Sequence, residues 1–144
     1  MHKKNKLGHN TSMKKIILII WIAVIFFLSS QPSNISNNLS TNVTNLILND
    51  SSLNYYFRES MHMMEFLILG LVMITYSKKK DYLLVFISCF ILACTDEFFQ
   101  LFIDGRTCEL LDVILDTTGS FIGLTCYHLI THKKLQLNYQ KKEA

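Results

Sequence analysis

Little in this chain breaks a helix, and little of it is charged. One proline and five glycines are spread over 144 residues, too few for a fibrous or low-complexity chain. Charged side chains make up 17%, against about a quarter in soluble domains. Half of the residues are hydrophobic, and mean hydropathy is +0.27. Absent too are a nucleophile motif, a phosphate-binding glycine loop, a nucleotide fingerprint and an HExxH pattern. The four cysteines, Cys89, Cys94, Cys108 and Cys126, match neither a zinc ribbon nor a CxxC redox pair. Three of them fall in apolar runs, where cysteine behaves as a small hydrophobe; Cys108 lies in a loop with no loop partner. No metal centre and no nucleic-acid partner are expected.

What the chain does have is continuous hydrophobicity, in four stretches: Met13 to Ser30, Met61 to Tyr76, Tyr82 to Phe102 and Leu110 to Ile130. A bilayer-spanning helix needs about 17 to 25 residues, so two stretches are comfortable and two marginal. The alternation of barrel strands is missing, which leaves helices. The 13-residue apolar core of the first stretch follows Lys14-Lys15 in the manner of a signal peptide, but Ser29-Ser30-Gln31-Pro32 is not a small-x-small cleavage site. A retained helix is expected. The fold class is therefore an all-α integral membrane protein with four transmembrane helices. The division is a tail at 1–12, a membrane domain at 13–130 and a basic tail at 131–144.

Orientation follows from the basic residues. Lys3, Lys4, Lys6, Lys14 and Lys15 precede the uncharged core of the first stretch, Ile16 to Leu28, Lys78 to Lys80 separate the second from the third, and Lys133, Lys134, Lys141 and Lys142 follow the fourth. Twelve of the fourteen basic residues thus lie on one side, and only Arg58 and Arg106 on the other. The positive-inside rule places both termini in the cytoplasm. The Asn- and Ser-rich segment from Gln31 to Phe57 is then external. Within it Val43, Leu46, Ile47, Leu53, Tyr56 and Phe57 suit either an interfacial amphipathic turn or a solvated loop. Its N-x-S/T triplets read as chance matches in an Asn-rich stretch.

With that topology, the ionisable residues of the apolar stretches collect in one leaflet. His62 and Glu65 are three apart on one helix face; Asp96 and Gln100, and Asp112 and Asp116, are four apart on others. Glu97 neighbours Asp96, and Arg106 sits in the loop before the fourth helix. The opposite halves, 67–76 and 83–90, carry no charge. An ionised group in hydrocarbon costs at least ~2.5–3.5 kcal/mol on insertion scales. Five carboxylates around Arg106 and His62 therefore call for protonation or a cation. A hard divalent cation such as Mg²⁺ or Ca²⁺ would suit such ligands; beyond that the cofactor is left open. The plainer alternative is that Asp96 and Glu97 reach the headgroups while Asp112 and Asp116 stabilise a helix N-terminus.

Five elements follow one another along the chain: Ser29-Ser30-Gln31-Pro32, His62-x-x-Glu65-Phe66 with Leu69-Gly70, Asp96-Glu97-x-x-Gln100-x-Phe102, Arg106, and Asp112 with Gly119 and Gly123. In these residues and this order, the chain resembles the VanZ-like family of bacterial membrane proteins. Two departures stand out: Asp116 where the family commonly has Asn, and Asp104-Gly105 in place of Pro-Gly. The resemblance implies a four-helix domain in the bacterial cytoplasmic membrane. It also implies a link to resistance against glycopeptides, because the family's namesake is tied to teicoplanin resistance.

Three functions compete. An envelope protein would bind or modify a lipid-linked or cell-wall ligand at the outer leaflet. His62, Glu65, Asp96 and Glu97 would then do the acid–base work, and Gln100, Arg106, Asp112 and Asp116 would bind the ligand. A non-enzymatic scaffold or accessory subunit would use the same cluster to hold helices together, with Gly119-x-x-x-Gly123 allowing close approach. Ion or proton transport comes last, because the charge-free halves offer no relay. Membrane lipids are partners in every case; oligomeric state is not legible.

Overall fold

Long apolar runs without proline have one economical conformation in lipid, a helix that satisfies its own backbone. The computed structural model has four: α1 (His2–Ser29), α2 (Leu53–Tyr76), α3 (Tyr82–Gln100) and α4 (Leu110–Glu143). The structure describes residues 2–32, 38, 41–42, 53–77 and 79–143, without the side chains of 2–12, 14, 53–55 and 141–143. No strand occurs among these residues. Tyr82–Gln100 and the stretch Leu110–Gln140 are long and apolar enough to cross a membrane, and Lys15–Ser29 is a shorter apolar helix.

The helices do not stop where the hydrophobicity stops. α2 begins at Leu53, eight residues before the apolar run that starts at Met61. Leu53, Tyr56 and Phe57 are thus helical; Val43, Leu46 and Ile47 lie outside the described residues, as does most of each N-x-S/T triplet. α4 runs on to Glu143 through the basic tail, whose Lys, Leu, Gln and Glu are good helix formers. The tail expected at 1–12 is likewise part of α1, from His2.

The closest pairing is not between chain neighbours. α2 and α4 share the largest interface, whereas α1 rests lightly on α2 and α3. Small residues explain the choice. A methyl group at Gly119 would fall on the carbonyl oxygen of Met63, and one at Gly123 on that of Leu67. On the facing helix, a Cβ at Gly70 would lie 2.8 Å from the Ser120 carbonyl oxygen. Backbones meet here without intervening side chains, as small-xxx-small contacts allow. The pairing of 63 with 119 and 67 with 123 makes α2 and α4 parallel.

The interior is small and mixed. Phe66, Leu69, Ile74, Cys89 and Ala93 are fully enclosed, but so are Asp96 and Ser120. The exterior is greasier: Ile19, Ile20, Phe27, Leu83, Leu84 and Ile91 all stand exposed. A soluble protein does not leave a surface of this kind in water.

Candidate functional site at one end of the bundle

The site is assembled where the C-terminal ends of α1 and α3 meet the N-terminal halves of α2 and α4. Asp96 is its most enclosed acid, at 1% exposure. Its Oδ2 accepts from Ser29 Oγ at 2.6 Å and from Gln100 Nε2 at 3.3 Å. Gln100 passes the connection on, since its Oε1 accepts from Arg106 Nη1 at 3.0 Å. Arg106 Nε donates to the Gln31 carbonyl, also at 3.0 Å. One continuous chain therefore runs from α1 through α3 to the α3–α4 loop and back to the end of α1.

That loop is shaped for the purpose. After Gln100 the backbone turns, and Gly105 takes φ 74°, a left-handed conformation that a side chain disfavours. The turn brings the Arg106 amide onto the Ile103 carbonyl and aims the side chain back over α3. Farther along, the Glu109 amide donates to Glu97 Oε1 at 2.6 Å, pinning the start of α4 to the end of α3. Trp21 Nε1 donates to the Glu65 carbonyl and fixes α1 against α2.

All eight residues singled out from the sequence come to this end. Asp116, buried on α4, lies within electrostatic reach of Asp96, Glu65, Asp112 and Glu97. His62 and Glu65 are buried on α2, with Nδ1 and Oε2 4.0 Å apart, too far for a hydrogen bond. Two cavities share Gln100 as a lining residue. An apolar groove of about 410 Å³ lies between α1 and α3, walled by Phe26, Phe99 and Phe102, with Asp96 and Gln100 at its floor. A smaller, polar cavity of about 50 Å³ is lined by Arg58, His62, Arg106, Glu109 and Asp112 as well as Gln100.

Sequence reasoning passed over three contributors. Ser29 was visible only as part of a motif, although its hydroxyl is the closest partner of Asp96. Arg58 lines the polar cavity and pairs with Glu59 at 3.7 Å. Glu59 is itself buried, one helical turn before His62; extending the 62–65 spacing backward by three would have found it. It precedes the apolar run, and burial, followed by the adjacent Asp112 carboxyl, pushes its acid up to about 7.

Five buried carboxylate oxygens have no hydrogen-bond partner among the described residues: Glu59 Oε2, Glu65 Oε2, Asp96 Oδ1, Asp112 Oδ1 and Asp116 Oδ1. No three His, Cys, Asp or Glu side chains among those residues are arranged to hold a metal ion. The Mg²⁺ or Ca²⁺ that such carboxylates would suit thus has no ready set of ligands among the described residues.

The family model for VanZ/LLP1 matches residues 15–131, which reaches into all four helices and takes in every residue of the cluster. No curated protein and no solved structure matches the chain.

Proposed function

The chain belongs to the VanZ-like family, and from that premise we propose that it is an envelope protein of the bacterial cytoplasmic membrane that engages a lipid-linked or cell-wall ligand. In this reading all four helices span the bilayer, both termini are cytoplasmic, and the acidic cluster faces the outer leaflet. The lysine distribution supports the orientation. Contribution to resistance against teicoplanin-type glycopeptides is part of the proposal and rests on the family link alone.

The observation that carries a ligand role is the set of five buried, unpartnered carboxylate oxygens. A purely structural network would satisfy its members, because a buried polar group without a partner costs about 1–3 kcal/mol. Here hydrogen bonds hold the frame, through Ser29, Gln100 and Arg106, while acceptors are left over for something else. His62, Glu65, Asp96 and Glu97 would act on the ligand; Gln100, Arg106, Asp112 and Asp116 would hold it.

A second reading has its own support. The bonds Ser29–Asp96 and Arg106–Gln31 tie separate segments together, as a scaffold or accessory subunit would require. Glycopeptide susceptibility of cells expressing wild type, Asp96→Asn, His62→Ala and Arg106→Ala, with membrane abundance measured alongside, separates the two. The ligand reading expects wild type to protect, and the variants to lose protection at unchanged abundance. Reduced abundance favours the scaffold. No protection by wild type ends the resistance proposal, and full protection by all three variants ends the role of the cluster in it.

A further inference from the structure

Away from the acidic cluster, α3 and α4 leave a groove of about 490 Å³ between them, within the range of about 300–1,000 Å³ that ligand pockets occupy. Its floor is Leu124, and its walls are Leu83 and Phe86 on α3 and Phe121 on α4. Two edge-on ring pairs bridge the helices along it, Phe86 with Phe121 at 6.3 Å and Tyr82 with His128 at 5.7 Å between centroids. From Phe121 to His128 it runs two turns of α4, roughly 10 Å at 1.5 Å per residue. Leu83 and Phe121 stand 69% and 59% exposed, so in the membrane reading the groove opens sideways to lipid.

The chemistry changes at one end. His128 closes the groove, and His132, one turn farther on the same face of α4, holds its ring 6.2 Å from that of His128. Both side chains are exposed, and an imidazole offers an N–H donor in either protonation state. The lysines gather at this same end of the bundle. Lys80 is engaged, over the Tyr127 ring and against the Ile74 and Thr75 carbonyls, whereas Lys79, Lys133 and Lys134 extend into the open. Asp81 is the one acid among the described side chains there, and its carboxylate caps α3 by accepting from the Leu84 amide. An apolar slot that ends in donors and cations is complementary to a chain that ends in an anion. Basic surfaces between membrane helices on the cytoplasmic side suit anionic headgroups, and an amine in the headgroup would meet the lysines.

We propose that this groove binds one acyl chain of an anionic phospholipid of the cytoplasmic leaflet, with the phosphate outside the groove, over His128 and His132. Only a chain has to enter the groove; the headgroup stays in the interfacial layer where the lysines stand. The proposal rests on the membrane reading above, in which the lysine end is cytoplasmic, and concerns a site separate from the acidic cluster.

The test is competitive lipid retention. Full-length protein is equilibrated with mixed micelles holding equal parts of phosphatidylglycerol, phosphatidylethanolamine and phosphatidylcholine, and the lipids that stay bound are counted by native mass spectrometry. Phosphatidylglycerol should be retained about fivefold over each competitor, the worth of one favourable charge contact at a membrane surface. His128→Ala combined with His132→Ala should lower that ratio by about half or more. Thr125→Trp, which fills the groove from an exposed position on α4, should reduce retention of phosphatidylglycerol, with Thr125→Val as its control. Thermal melts establish that each variant is folded; if Thr125→Trp is not, Leu83→Trp on the opposite wall replaces it. Retention in proportion to the mixture, or preference for either zwitterionic lipid, overturns the proposal. So does an unchanged ratio in the folded histidine variant. Unchanged retention in the folded groove-filling variant overturns it as well, because attraction to the lysines alone would then suffice. These variants leave the acidic cluster untouched and micelles do not sense orientation, so failure here is told apart from failure of the outer-leaflet reading.

Discussion

Glu59 shows how a single residue can be buried by its neighbours and yet escape notice in the sequence. It stands next to Arg58 in a polar stretch, RES, that reads as the solvated end of a loop. The early start of α2 turns that stretch into helix and swings Glu59 onto the face of His62 and Glu65, toward Asp112. Its acid titrates near 7 in the folded protein, against 4.5 when free, with burial the leading cause. The sign follows from linkage: folding favours the protonated form, so this contribution is fully present below about 4.5 and is lost as pH rises through 7. Wild type should therefore melt at a lower temperature at pH 8 than at pH 5, and Glu59→Gln should flatten that dependence. Melts of both proteins across pH 5–8 in one detergent check it. Parallel curves would mean that Glu59 is ionised throughout.

At the scale of helices, hydropathy and glycine spacing told most of the story, and each left out something specific. The four helices were legible because uninterrupted apolar runs in lipid leave the backbone no alternative. Their ends were not, because a helix that leaves the apolar zone can continue on propensity alone, as α4 does to Glu143. The Gly119-x-x-x-Gly123 pair announced a close approach without naming the partner, which could equally have been a second molecule. The structure assigns it to α2 of the same chain, across Met63, Leu67 and Gly70. A side chain at Gly119 or Gly123 would strike backbone, which no rotamer change relieves. Gly119→Val and Gly123→Val should each cost at least ~1–3 kcal/mol, the range of overpacked cores, and should loosen α2 from α4. Thr118→Val, on an exposed position one residue away, should be nearly neutral. Melting temperatures and protease sensitivity of the three variants decide; an unaffected Gly119→Val would mean that the helices separate at little cost.

For the molecule as a whole, the polar cluster and the lysines occupy opposite ends, and this polarity is what a topology measurement can read. Lys79 and Lys80 lie in the α2–α3 turn, where Lys80 Nζ donates to the Ile74 and Thr75 carbonyls and closes the end of α2. Cys108 lies at the other end, exposed in the α3–α4 loop two residues from Arg106. Cys94 and Cys126 are exposed too, but on helices α3 and α4 among apolar neighbours. The gathering of acids was legible in the sequence because Glu65, Asp96 and Asp112 alternate along the chain with the lysine clusters that mark the opposite helix ends. The linkage among them was not: it depends on Ser29, Gln31 and the positive φ of Gly105, none of which hydropathy reports. With the other cysteines replaced by alanine, a membrane-impermeant maleimide should label Cys108 in intact cells. A cysteine placed at Lys79 in a chain without Cys108 should react only after permeabilisation. The reverse pattern would put the acidic cluster in the cytoplasm, where a ligand of the outer leaflet cannot reach it. Labelling of both positions from outside would mean that α3 does not cross, since it is the one helix separating them.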